Sequence, residues 1–214
     1  MPPSRLRGIV KQINALNPDV ILIAGDFVSD KRPATKHYRA SEALAPLANL
    51  RPRLATVAVL GNHDHWRGRA EILSALQTAN ILILENEAAS IGPLRIGGVD
   101  DDFTGRADLM ATIRAMNLAA GAKVLLTHSP DVTPSVPREV GLILAGHTHC
   151  GQVRLPWFGA VSTMSRYGDR YACGLIKEDD RHIVTTAGLG TSVLPIRLGA
   201  PPEIWLLSLG PPQG

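Results

Sequence analysis

Five side chains able to ligate a divalent cation stand in this sequence where an apolar run breaks off into polar residues. Asp26 follows the run 20–24 and Gly25, and Asn62 follows the run 56–60 and Gly61. His128 closes the run 124–127, while His147 and His149 follow the run 142–145 and Gly146. Short apolar runs with β-branched residues, bounded by a breaker, are the pattern of buried strands. Open α/β sheets place their ligands at the C-terminal ends of such strands. Four strands therefore deliver Asp26, Asn62, His128, His147 and His149 to one edge.

The residue types narrow the chemistry. A carboxylate such as Asp26 can bridge two cations with its two oxygens, and Asn62 offers a neutral carbonyl oxygen that adds no charge. Mixed oxygen and nitrogen ligation without thiolates favours Mn, Fe, Zn, Ni or Co over Ca or Mg. A lone histidine is more often structural than a ligand. Two of them one residue apart after a strand, His147 and His149, can aim at neighbouring metal positions. His63 directly follows Asn62 and is placed for proton transfer or for contact with a phosphoryl oxygen. Asp64 has two equal readings, as an orienting partner of His63 or as a cap of the following turn.

The elements that must carry these residues alternate over the first two-thirds of the chain. Leu6, Ile9, Val10, Ile13 and Leu16 follow Ser4 at helical spacing, and Asn17-Pro18 stops that helix before the strand at 20–24. A helical stretch at 41–50 is interrupted by Pro46. The strand at 56–60 leads to a helix near 69–78 and a short strand at 81–84. Gly92-Pro93 joins two strands into a hairpin, and Asp108 caps a helix that ends at Gly121. Strands at 124–127 and 142–145 follow, separated by a segment with Pro130, Pro134 and Pro137. The last third has strand-like pieces at 172–177, 182–186 and 204–209 and no helical periodicity, which predicts an antiparallel meander. Two sheets packed face to face with helices outside accommodate both parts.

Bulk composition excludes several classes. The 214 residues suffice for one packed domain, 1–214, and 45% hydrophobic with 19% charged residues is an ordinary globular balance. Net charge is +3 with dispersed cations, and aromatic content of 4% leaves no basic-aromatic stripe for nucleic acid. Cys150 and Cys173 form no disulfide framework and are expected as free thiols in a reducing compartment. No apolar stretch approaches the roughly 20 residues of a membrane span. A cytoplasmic protein is the expectation, and its oligomeric state is left open.

The combination Gly25-Asp26, Gly61-Asn62-His63-Asp64, His128 and Gly146-His147-Thr148-His149 resembles the calcineurin-like metallophosphoesterase superfamily. His149-Cys150-Gly151-Gln152, Arg154-Leu155-Pro156, Gly97-Gly98-Val99-Asp100-Asp101 and the tail from Gly188 to Ile204 are similar to its bacterial branch of phosphodiesterases and UDP-diacylglucosamine hydrolases. The resemblance implies an α/β fold, a two-sheet β-sandwich flanked by helices. It implies two divalent metal ions (Mn, Fe, Zn or Ni) bridged by Asp26. Asn62, His128 and His147 complete one shell and His149 belongs to the other. The implied reaction is attack of a metal-bound hydroxide on a phosphodiester or pyrophosphate, of a small-molecule or lipid-linked substrate, with peripheral membrane association. That branch opens on a strand ending in Asp-x-His, which is absent here. A reading frame opened at an internal methionine, with an incomplete second metal position, is the resulting expectation. A metal- or partner-binding domain without catalysis is the alternative. The segment 156–158 and the loop 29–37 are candidate pocket walls, although turn packing explains Trp157 equally well.

Overall fold

The computed structural model describes residues 1–29, 38–192 and 195–210. Its first element, α1 (Pro3–Ala15), opens on a proline at its first position and has no side-chain cap, so Ser4 lies inside the helix and is not its cap. β1 (Val20–Ile23) follows, then α2 (Ala40–Leu44), which tightens into a 3₁₀ turn at Ala45–Asn49 where Pro46 removes a backbone donor. β2 (Ala55–Ala58), α3 (Asn62–Thr78) and β3 (Leu82–Ile83) complete the first half. β1, β2 and β3 form one parallel sheet in that order.

The second sheet holds β4 (Glu87–Ile91), β5 (Leu94–Gly98), β6 (Ala122–Leu126), β7 (Leu142–Ala145), β10 (Gly174–Glu178) and β11 (Arg181–Thr185). Their order is β10-β11-β7-β6-β5-β4. Helix α4 (Leu109–Met116) is capped by Asp108, whose carboxylate accepts from the Ala111 amide at 2.8 Å. It ends at Asn117 and not at Gly121. A small hairpin, β8 (Arg154–Leu155) with β9 (Gly159–Ala160), stands apart from both sheets.

Period-two alternation explains why these strands read as continuous apolar runs: both faces are covered. Val57, Val124, Leu142 and Val184 point into the layer between the sheets, where Val20 and Leu22 pack as well. Their neighbours turn outward. Ile21 and Ala58 meet Val10, Leu44, Ile72 and Leu76 of the helices on one side. Leu125, Ile143 and Ile183 meet Ile113 and Met116 on the other. Gly97 lets α4 approach, since a Cβ there would lie 2.8 Å from the Met116 Cγ. The result is the two-sheet sandwich with outer helices that the sequence predicts.

Three further expectations change. Residues 204–209 form no strand: Leu207 packs on the inter-sheet cluster, but the stretch has no ladder partner among the described residues. Alternating apolar residues supply a face, whereas a strand also needs a neighbouring edge to pair with. The C-terminal third is no separate meander either. β10 and β11 pair antiparallel, yet β11 runs parallel to β7, because the intervening 35-odd residues are long enough for a crossover.

The cysteines are not free. Cys150 and Cys173 are joined in a disulfide with Cα atoms 4.6 Å apart. The Thr148 hydroxyl donates to the Ala172 carbonyl at 2.6 Å and fastens the same two segments, a proximity that spacing alone does not disclose. The bond closes a loop with a sequence separation of 23, for which chain entropy gives about 3 kcal/mol. Cys150→Ser/Cys173→Ser should therefore lose roughly that much in a urea-unfolding titration. An unchanged unfolding midpoint would show that the link contributes nothing to stability.

Candidate metal centre

The C-terminal ends of β1, β2, β6 and β7 meet at one edge, and the residues just beyond them converge. Chain direction there depends on two unusual backbone choices. Gly25 (φ 84°) and Asp26 (φ 56°) are left-handed, turning the Asp26 carboxylate back toward β2. Glycine is the residue that adopts such a conformation without steric cost, and a Cβ on Gly25 would meet the Gly61 amide nitrogen at 2.5 Å. Gly61 is equally confined. A Cβ there would collide with Asp26 Oδ1 and come within 2.6 Å of His128 Cε1. The two glycines are thus what allows Asp26, Asn62 and His128 to share one small volume.

Asn62, His63 and Asp64 do not lie in a loop ahead of the helix. They are the first turn of α3, which begins right after Gly61. Asp64 takes the capping reading: its carboxylate accepts from the Gly61 amide at 3.0 Å and the Val28 amide at 3.3 Å. Burial, then the nearby Asp26 charge, pushes its carboxyl up to about 7. A kink at Gly68 (φ 138°, ψ 84°) then redirects the rest of the helix.

His128 is the centre of the cluster. Its Nδ1 lies 2.6 Å from the Ala24 carbonyl oxygen, an acceptor only, so Nδ1 carries a proton. Its Nε2 faces Asp26 Oδ2 at 3.4 Å, Asn62 Oδ1 at 3.1 Å and His147 Nδ1 at 3.1 Å. One ligand atom each from Asp26, His128 and His147 fall within 4.8 Å of one another. Three acceptor-capable atoms around one ring nitrogen are mutually unfavourable unless positive charge sits among them. Burial opposes charge on His128, but the Asp26 carboxylate outweighs it and raises the imidazole to about 9. In turn His128 and His63 hold Asp26 well below the usual carboxylate range against the effect of its burial. Burial and the His128 charge depress His147 to about 4, which leaves it a neutral donor of lone pairs.

A divalent cation fits this arrangement. A ring fixed by an Nδ1–H···O=C bond presents Nε2 to a metal, the orientation that backbone carbonyls commonly impose on ligating histidines. His147 Nε2 is buried with no hydrogen-bond partner among the described residues, an orphaned polar atom beside the cluster. His147 itself is left-handed (φ 64°).

His149 stands outside this cluster. Its Nδ1 lies 3.3 Å from an Arg197 guanidinium nitrogen, and burial followed by that charge lowers it to about 4. Arg197 also donates to the carbonyls of Ala187, Gly190 and Ala200 within the tail, and to the His149 carbonyl at 3.4 Å, which ties the tail to the turn after β7. It stood in the recognisable tail motif, but no spacing connects it to His149. His63 is adjacent without being in the cluster: its ring nitrogen is 3.9 Å from Asp26 Oδ2, and its backbone N–H donates to Asp26 Oδ1 at 3.0 Å. Phe103 and Trp66 line the approach, Phe103 with its ring centroid 5.0 Å from that of His147. Trp66 sets its ring against His63 at 5.3 Å. Neither aromatic carries a sequence signal. Of the proposed pocket walls, Trp157 is fully exposed and neither packs nor lines the site, and residues 30–37 lie outside the described residues.

The family model for calcineurin-like phosphoesterases matches residues 3–151, the stretch that carries α1 through the His147–His149 turn. The chain belongs to this family. Among its relatives is an uncharacterised metallophosphoesterase of Helicobacter pylori (strain ATCC 700392 / 26695), 33% identical over 211 residues. That match covers 95% of this chain but 54% of the relative, so the chain spans about half of that protein's length. YkuE of Bacillus subtilis, also an uncharacterised metallophosphoesterase, is 31% identical, with 95% of this chain and 72% of the relative covered. The phosphodiesterase YaeI of Escherichia coli is 34% identical over 90% of this chain and 70% of its own. Asp26, His128 and His147, the group that could hold a metal ion, all fall at strand ends within the stretch that the family model matches.

Proposed function

We propose that the chain hydrolyses phosphodiester bonds with the help of a divalent cation held by Asp26, Asn62, His128 and His147. The observation that carries this reading is the convergence of three ligand atoms on His128 Nε2, with the ring's other nitrogen committed to Ala24. A cation bound there supplies Lewis acidity toward a phosphoryl oxygen. Asp26 neutralises part of its charge, and Asn62 and the two histidines add none. His63, beside the cluster and within reach of Asp26, is placed to hand a proton to the departing oxygen or to hold a phosphoryl oxygen by hydrogen bond. The phosphodiester class is supported by the name of the E. coli relative.

Activity toward an aryl phosphodiester with added Mn²⁺, compared with the His147→Ala variant, tests this function. Turnover that depends on Mn²⁺ and disappears in His147→Ala is the expected result. Metal-independent turnover, or none in either protein, sinks it.

The stoichiometry is a separate expected result. Four protein ligands surround one position, whereas a second would draw on Asp26 and on His149, which Arg197 already engages. Titrating this chain with Mn²⁺ or Zn²⁺ should therefore show one tight equivalent, and two equally tight ones would show ligands beyond those named. No helix among the described residues is long and apolar enough to cross a membrane. The disulfide persists best in an oxidising compartment, which weighs against the cytoplasmic location expected from the cysteine count.

A further inference from the structure

We infer that the buried His65–Asp100 pair is a positioning device. It sets the first turn of α3, which carries Asn62 and His63, against the sheet that supplies His128 and His147. The two side chains are 4% and 9% exposed, and His65 Nε2 lies 2.8 Å from Asp100 Oδ1. That oxygen also accepts from the Asp101 amide at 2.8 Å, so the proton of the contact sits on His65.

The turn needs an anchor outside its own helix. Gly68 (φ 138°, ψ 84°) breaks α3 just beyond it, so the longer part of the helix does not fix residues 62–67. Bonds to the loop after β1 hold one side. The His63 amide donates to Asp26 Oδ1 at 3.0 Å, the Asp64 carboxylate accepts from the Val28 amide at 3.3 Å, and Arg67 donates to the Ser29 carbonyl at 3.2 Å. None of these three reaches the second sheet. His65 does.

Asp100 stands at the right height to receive it. Gly98 pairs with Leu126 in the β5–β6 ladder, so Asp100 and His128 both follow two residues past the same rung. Asn86 holds Asp100 in turn, its side-chain oxygen accepting the Asp100 amide at 3.0 Å. A bond from His65 to Asp100 therefore registers Asn62 against His128, whose Nε2 is 3.1 Å from Asn62 Oδ1. Trp66 also meets the loop after β5, through Phe103 at 6.0 Å between ring centroids. An edge-on ring contact tolerates sliding that a hydrogen bond of 2.8 Å does not.

Stability alone does not account for this choice of residues. His65 Nδ1 is buried with no hydrogen-bond partner among the described residues, a costly feature where an apolar side chain could fill the space. Buried polar pairs commonly yield no net stability over apolar replacements of similar volume. What this pair supplies is direction.

The Zn²⁺ affinity of four variants, measured by calorimetric titration, tests the pair apart from catalysis. His65→Leu and Asp100→Ala should each weaken binding by about tenfold or more, as loss of the groups that orient a ligand commonly does. His65→Gln keeps a donor near the Nε2 position and Asp100→Asn keeps the acceptor oxygen, so both should retain most of the affinity. At saturating Mn²⁺, His65→Leu should still lower phosphodiester turnover, because His63 rides on the same turn; in this respect the inference rests on the function proposed above. An unmodified chain without Mn²⁺-dependent turnover would sink that function and leave the Zn²⁺ comparison to judge the pair. Unchanged affinity in His65→Leu and Asp100→Ala would overturn the positioning role. So would an equal loss in His65→Gln, since the bulk of the ring would then be what matters. Unfolding of both disruptive variants, seen by circular dichroism, would overturn it too and make the pair a stability contact.

Discussion

Replacing Asp26 by asparagine is expected to weaken divalent-metal binding about a hundred- to a thousandfold, the largest loss for any single ligand. Asp26 is the one formal negative charge in the cluster, and its carboxylate faces His128 at 3.4 Å and His63 at 3.9 Å. Asparagine keeps the shape, and its side-chain oxygen can still accept from the His63 amide. What disappears is the charge that compensates a cation in a buried setting. The same substitution releases His128, which Asp26 holds at about 9. At neutral pH the metal-free unmodified chain therefore keeps a proton on His128 that a cation must displace, so affinity should climb with pH and level off near 9. In the variant that plateau should start at lower pH. Stability of the metal-free chain follows the opposite course. The folded-state value lies above the unfolded value of about 6.5, so this contribution is complete below that pH and is lost as pH rises through about 9. Calorimetric titration with Zn²⁺ across this range measures the affinity, and urea unfolding of the metal-free chain over the same range measures the stability. A variant that binds within about tenfold of the unmodified chain would remove Asp26 from the site.

His63→Asn should leave metal content nearly unchanged and lower turnover by about 10²–10⁴-fold. The contact this residue makes to Asp26 at 3.0 Å comes from its backbone, which asparagine preserves, and its ring stands 3.9 Å away. Trp66 flanks that ring edge-on and keeps it against the cluster. An acid role predicts unequal losses: an alkyl phosphodiester, with its poor leaving group, should suffer more than an aryl one. Equal losses on the two substrates point to phosphate positioning. Loss of metal in His63→Asn would make the residue a ligand and refute both roles.

The cluster itself was legible in the chain because parallel strands put their C-terminal ends together. Whatever follows an apolar run of strand length therefore lands near whatever follows the next one. Asp26, Asn62, His128 and His147 obey that rule, and the burial of both strand faces explains why the runs are continuous. Gly25 and Gly61 carried a signal too, as breakers, but their actual service is steric. Only the close passage of β1 past β2 shows that a side chain at Gly61 would evict Asp26 or His128, and that one at Gly25 would run into the backbone of Leu60 and Gly61.

Other features depend on contacts between residues far apart in sequence, which no local pattern encodes. Asp64 chose capping over orienting His63 because α3 starts at Asn62, several residues earlier than its apolar periodicity reveals. His149, expected at the other metal position, meets Arg197, 48 residues onward, a contact that spacing does not disclose. Cys150 and Cys173 became a disulfide because the turn after β7 and the segment before β10 are fastened by Thr148 and Ala172. Residues 204–209 have the composition of a strand and did not become one, since pairing needs an adjacent edge as well as propensity. Residue types and their period thus determined which atoms could bind a cation and on which edge. Tertiary packing decided which of them meet, because distance between side chains depends on how the sheets and loops close.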